Sequence, residues 1–151
     1  MGTYTEIVFG ARLAPSTPKN VIDTLRYAAG ENMYSDKNLN SDDPVVVVDN
    51  DLLNEYDISS IVRAGGSYYY GVLYSTPTMF YNDITRSWIL SFRGNCKNYN
   101  RRIEKFLEWI SQYVIQGSGE GEIYATVYHE EGVPEVYSLR GTYTVTYAYH
   151  Q

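Results

Sequence analysis

Apolar and β-favouring side chains alternate with polar ones along several short stretches, and each such stretch predicts a β-strand. In residues 3–13, Ile7 and Phe9 fall on one face, while Glu6 and Val8 fall on the other. The same alternation, or short runs of β-branched and aromatic residues, predicts further strands at residues 45–48, 67–74, 87–93, 122–128, 135–139 and 142–149.

Two other stretches repeat apolar residues at the spacing of an α-helix. The first helix is predicted between Pro18 and Gly30, because proline suits a helix start and glycine suits a helix end. The second helix is predicted from its apolar positions, with Asn98 or Asn100 as the N-cap and Trp109 in the core. These positions are Ile103, Phe106, Leu107, Ile110 and Val114.

The order of elements is strand, helix, strand, strand, helix, strand, strand. This order predicts an α+β fold in which two helices pack on one face of an antiparallel sheet. It is the split βαβ (ferredoxin-like) order with an added C-terminal hairpin. Residues 1–151 have the length of a single domain. Residues 31–44 are polar and predict a loop, and residues 49–62 fit neither periodicity well, so we expect 31–62 to be a variable loop or insert region.

Composition narrows the classes of function. The chain has a formal net charge of −6, which argues against generic binding to a nucleic-acid backbone or to an anionic membrane surface. Tyrosine is abundant, with 17 residues, and suits half-buried strands as well as recognition surfaces. The single cysteine excludes an internal disulfide, and the chain shows neither a signal-peptide pattern nor a long apolar run. We therefore expect a cytoplasmic protein.

The sequence nominates no catalytic residue, no cofactor and no metal site. Cys96 falls in a predicted turn, and neither His129 nor His150 is close to it in sequence. His129 and Glu131 share one face of a predicted strand and could begin a metal site, but the sequence identifies no third ligand. An inert thiol and a solvated hairpin end are the preferred interpretations.

One locally basic place remains in this acidic chain, at the junction between the strand at 87–93 and the second helix. A helix N-terminus contributes donor N–H groups and partial positive charge, so a phosphate, a nucleotide or an acidic protein surface could dock there. The alternative is ordinary helix capping. The candidate residues of this basic junction are Arg93, Asn95, Lys97, Asn98, Tyr99, Arg101 and Arg102.

Several segments together resemble small uncharacterised proteins encoded by bacteriophages and prophages. The resemblance spans most of the chain except residues 31–62, and it departs at residues 140–151. It implies a phage-linked accessory protein and carries no activity with it. The segments are residues 4–9, 67–70, 87–95, 97–100, 103–110, 121–124 and 128–131.

Three functions are compatible with these patterns. The leading hypothesis is a non-enzymatic phage accessory protein that acts by binding a host defence factor in the host cytoplasm and inhibiting it. An acidic surface would help it to occupy a basic host site. The second is a protein that binds a small anion or nucleotide at the basic junction. The third is a virion or assembly component that self-associates through tyrosine-rich edge strands.

Overall fold

A computed structural model describes residues 4–30, 55–65, 76–115, 123–130, 132–139 and 141–144, with only the backbone described at 55, 56 and 141–144. The helices are α1 (Lys19–Ala28), α2 (Glu55–Val62) and α3 (Arg102–Ser111). The strands are β1 (Tyr4–Leu13), β2 (Thr78–Asn82), β3 (Ser87–Lys97), β4 (Val114–Ile115), β5 (Ile123–His129), β6 (Glu135–Ser138) and β7 (Gly141–Thr144). The predicted strands at 45–48 and 67–74, the polar loop at 31–44 and the chain beyond 144 lie outside the described residues.

The described strands form one antiparallel sheet. Six of them follow the order β2-β3-β1-β5-β6-β7, and the two-residue β4 pairs with the end of β1. The predicted α+β class and the antiparallel sheet are therefore confirmed. Strands β6 and β7 pair as the predicted C-terminal hairpin requires.

Successive side chains of β1 point to opposite faces of the sheet. Ile7, Phe9 and Leu13 are buried on one face, and their partners on β3 include Phe92 opposite Phe9. Cross-strand partners share a face, so Leu90, Phe92, Gly94 and Cys96 lie on this side too.

The three described helices lie against this same face. Phe106 of α3 places its ring 5.9 Å from that of Phe9 and 5.8 Å from that of Phe92. Helix α2 contacts β3 at Gly94, and Arg26 of α1 lies over the ring of Trp88, 5.3 Å from its centroid. Trp109 is buried, as predicted.

Helix α2 corrects the expectation of only two helices and of an irregular segment ending at residue 62. Its buried residues Ile58, Ile61 and Val62 stand three and four positions apart, so they cover one side of a two-turn helix. Arg63 then secures α2 to α1, because its Nε donates to the carbonyl of Ala28 at 2.8 Å and its Nη2 donates to that of Tyr27. A cation near these carbonyls also suits the negative end of α1.

Helix α1 lies between Pro18 and Gly30, as predicted. The helix begins at Lys19 after Pro18, and the Thr17 hydroxyl donates to the carbonyl of Ala14 instead of capping the helix. Gly30, the predicted stop, has a φ of 94°, which glycine adopts without steric cost.

Close packing between α2 and β3 depends on the missing side chain of Gly94. A Cβ atom at this position would lie 2.8 Å from the Cβ of Ala64 and 3.0 Å from the carbonyl oxygen of Ile61. These distances are too short, so the helix or the strand would have to move.

We expect Gly94→Ala to lower the free energy of unfolding by about 1–3 kcal/mol, because an added methyl group overpacks this contact. Gly10→Ala is the matched control, since a Cβ there meets only the Ser91 hydroxyl, at 4.0 Å. We expect that variant to remain within about 0.5 kcal/mol of the parent. Urea denaturation compares the two, and equal stabilities would contradict the packing described.

No helix among the described residues combines the length and the apolar character needed to cross a membrane.

Candidate functional site

The structure divides the predicted basic junction between the two faces of the sheet. Arg93, Asn95 and Lys97 lie opposite Val8, Glu6 and Tyr4, on the face away from the helices. The Arg93 Nη2 atom lies 3.2 Å from Oε2 of Glu6, a carboxylate that is fully buried. Arg93 therefore forms an ion pair with Glu6 across the neighbouring strands β3 and β1.

Asn98 serves the start of α3, as the capping alternative proposes. Its Oδ1 accepts the backbone N–H of Ile103 at 2.9 Å, and its Nδ2 donates to both carboxylate oxygens of Glu104 at 3.0 and 2.8 Å. This reciprocal arrangement is similar to a capping box. The two residues before α3, Asn100 and Arg101, have left-handed φ values of 55° and 58°.

Three other residues of the basic junction, Lys97, Tyr99 and Arg102, lie near one another where β3 meets α3. Arg102 contacts the sulfur of Cys96 and approaches Asp57, with 3.9 Å between Nη1 and Oδ1. The Lys97 amine lies 5.8 Å from the ring of Tyr4 and 6.0 Å from that of the exposed Tyr99. Lys97 and Arg102 thus both lie 6.0 Å from the ring of Tyr99, whereas Arg93 pairs with Glu6 and Asn98 binds the start of α3.

Cys96 belongs to β3 and not to a turn, which corrects the expectation from sequence. Its side chain is buried, and burial raises the pKa of the thiol, an effect that the nearby Arg102 guanidinium opposes. Thr5 stands between Cys96 and His129 in the sheet register. A buried thiol with a raised pKa is a poor nucleophile.

We expect the native protein to react with iodoacetamide at pH 8 at least about tenfold more slowly than the same protein in concentrated urea. Because Cys96 is the only cysteine, mass spectrometry reports its alkylation without ambiguity. Equal rates in the two conditions would show that the thiol is accessible and ionised in the folded chain.

A groove of about 720 Å³ runs between α3 and the strands β5 and β6, and we call it the α3–β6 groove. The helical spacing of Glu104 and Glu108 brings both carboxylates to the same side of α3. Alternation along β6 directs Glu135 and Tyr137 to the helix face, opposite Val127 and Ala125. The lining residues are Arg101, Glu104, Leu107, Glu108, Ser111, Tyr124, Glu135, Tyr137, Ser138 and Leu139.

The charges of this groove are mainly negative, since three carboxylates and one guanidinium line it. Burial raises the pKa of Tyr137 to about 12, with further contributions from Glu135 and Glu104 that Arg101 opposes. Burial also raises the pKa of Tyr124. Both phenols therefore stay neutral at physiological pH and present rings and hydroxyl groups beside the carboxylates.

One end of the groove brings together Glu104, His129 and Glu135 from α3, β5 and β6. One ligand atom from each side chain lies within 4.8 Å of the others, and all three side chains are half-buried. The Nε2 atom of His129 hydrogen-bonds Oε1 of Glu135. The sequence paired His129 with Glu131, which lies outside the described residues; the hairpin register instead brings Glu135 to the histidine.

A second exposed surface lies on the hairpin formed by β2 and β3. Phe80 and Tyr81 are nearly half exposed, and Ile84 at the turn is 93% exposed. These exposed apolar side chains lie on or beside β2, an edge strand of the described sheet, and they are relevant to the hypothesis of self-association through edge strands.

The fold and the groove thus define an α+β protein with an acidic, tyrosine-containing groove. Comparison of the chain with protein-family models, curated proteins and solved structures found no match.

Proposed function

We propose that the protein acts by binding, and that the α3–β6 groove holds a basic segment of a protein partner. The observation that supports this proposal is the placement of Glu104, Glu108 and Glu135 around the rings of Tyr124 and Tyr137. Carboxylates form charge-assisted hydrogen bonds with arginine and lysine, and aromatic faces attract the same cations. The net charge of −6 would steer a basic partner towards the protein.

The partner that we propose is a host factor, and the protein is an accessory protein of a phage acting in the host cytoplasm. This part of the proposal is supported by the sequence resemblance alone. Occupation of a basic site on a host defence factor would inhibit that factor without any chemical reaction.

We also infer that the fold is the split βαβ (ferredoxin-like) arrangement. The order β2-β3-β1-β5, with α1 and α2 between β1 and β2 and with α3 between β3 and β5, supports this inference. In such an arrangement β6 and β7 extend one edge of the sheet, and β6 provides one wall of the α3–β6 groove.

A labelled peptide of arginine and glycine residues is a direct probe of the groove. We expect it to bind the intact chain, and we expect Glu108→Gln to weaken binding about tenfold, the effect of losing one charge-assisted hydrogen bond. Fluorescence anisotropy measures the affinity at a fixed salt concentration.

Glu130→Gln is the matched control, because it removes the same charge from an exposed position outside the groove lining. That variant should bind almost as well as the parent. If both variants lose the same affinity, the peptide responds only to net charge and the groove has no specific role. Absence of binding to any of the proteins would also contradict the proposal.

A further inference from the structure

We propose that Glu104, His129 and Glu135 bind a divalent transition-metal ion, and that this ion is Zn²⁺ or a close analogue. The inference does not depend on a protein partner in the α3–β6 groove. It concerns the end of the groove where α3 meets the β5–β6 hairpin.

The donor set points to this class of ion. One imidazole nitrogen and two carboxylate oxygens suit zinc, whereas Mg²⁺ and Ca²⁺ prefer oxygen ligands alone. Three protein ligands also leave a coordination position open for water or a bound group, as in zinc sites that are not purely structural.

The geometry is close to what such an ion requires. Bonds of about 2.1 Å place neighbouring tetrahedral ligands about 3.4 Å apart. The three ligand atoms here lie within 4.8 Å of one another, so small rotations of the two glutamate side chains would close the site. Metal binding would replace the hydrogen bond between His129 Nε2 and Glu135 Oε1: its proton would pass to solvent water, and both atoms would bind the ion.

The surroundings hold the ligands in place. The Asn98 amide donates to the Glu104 carboxylate, and hydrogen bonds from a neighbouring residue to a metal ligand hold that ligand in its orientation. Each ligand comes from a different element, so the ion would join α3 to β5 and β6. The adjoining α3–β6 groove gives access from solvent.

The test uses the full chain with His150→Gln, so that His129 is the only imidazole. Isothermal titration with ZnCl₂ should show one ion per chain, and Zn²⁺ should raise the melting temperature because it binds only the folded state. Co²⁺ should give the visible absorption of a nitrogen- and oxygen-ligated site. We expect no comparable response to Mg²⁺.

Variants identify the ligands. His129→Gln and Glu104→Gln, which change different elements, should each weaken Zn²⁺ binding by more than about 100-fold. Loss of a residue that only supports a metal ligand already costs about 10–100-fold in affinity. Asp83→Asn, which removes one exposed carboxylate at the turn between β2 and β3, is the matched control and should bind Zn²⁺ like the parent. Unchanged affinity in both ligand variants, or no Zn²⁺ binding by the folded parent, would overturn the inference. Circular dichroism checks that each variant folds.

Discussion

Phe106→Ala should lower the free energy of unfolding by about 3–5 kcal/mol, the usual cost of removing a buried aromatic side chain. Phe106 is fully buried, and its ring contacts those of Phe9, Phe92 and Trp109 at centroid distances of 5.9, 5.8 and 5.9 Å. Removal of the ring leaves a cavity where α3 meets the two central strands, so both burial and edge-to-face contacts are lost. Urea denaturation measures the change.

Ile84→Ala provides the reference for this measurement. The side chain is 93% exposed at the hairpin turn, and we expect its truncation to change stability by less than about 0.5 kcal/mol. A loss below about 1 kcal/mol for Phe106→Ala would mean that α3 does not pack on β1 and β3 as described.

Arg93→Met should destabilise the protein by about 3 kcal/mol. The Glu6 carboxylate is fully buried, one of its oxygens accepts from Arg93, and the other has no hydrogen-bond partner among the described residues. Loss of the guanidinium would leave a buried charge without its ion-pair partner, which usually costs 3–5 kcal/mol. We expect the lower end of this range because the Arg93 side chain is 31% exposed.

The double variant Glu6→Leu/Arg93→Met separates loss of the ion pair from loss of packing. Replacement of both charges by apolar groups of similar size is often neutral or stabilising. We therefore expect the double variant to be more stable than Arg93→Met alone, with a coupling energy above about 1 kcal/mol in the double-mutant cycle. Additive losses would show that Glu6 and Arg93 do not depend on each other.

The main layout of the fold could be predicted from periodicity. Alternation in β1 and helical spacing in α3 are both strong, because each element buries one complete face against the core. Helix α2 was missed because it has eight residues and only three buried apolar positions in its described part. A periodic signal over two turns is too short to distinguish from an irregular segment.

Parts of the predicted basic junction are close in sequence but lie on opposite faces of the sheet. Arg93 and Asn95 are close to Arg102 along the chain, but β3 extends to Lys97 and alternates throughout. Successive side chains of a strand point to opposite faces, so Arg93 and Asn95 point away from the helices. Arg102 instead approaches Cys96 on the helix side. Of the two asparagines predicted as N-caps, Asn98 accepts a hydrogen bond from the first turn of α3, but Arg101 occupies the N-cap position.

The α3–β6 groove could not be predicted, because its residues come from elements that are distant in sequence. Glu104 and Glu135 are brought together by the packing of α3 on β5 and β6. The pairing of His129 with Glu135 depends on the register of the β5–β6 hairpin. A register shift of one residue would turn Glu135 to the opposite face of the sheet. The available signal was the pair Glu104 and Glu108, one turn apart on one helix.

The most direct test of the binding surface is an NMR titration of the ¹⁵N-labelled chain with the arginine–glycine peptide. We expect the largest amide shift changes to cluster on α3, β5 and β6, at the residues that line the α3–β6 groove. Shift changes centred on the β2–β3 hairpin, or on Arg93 and Asn95 at the opposite face, would contradict it.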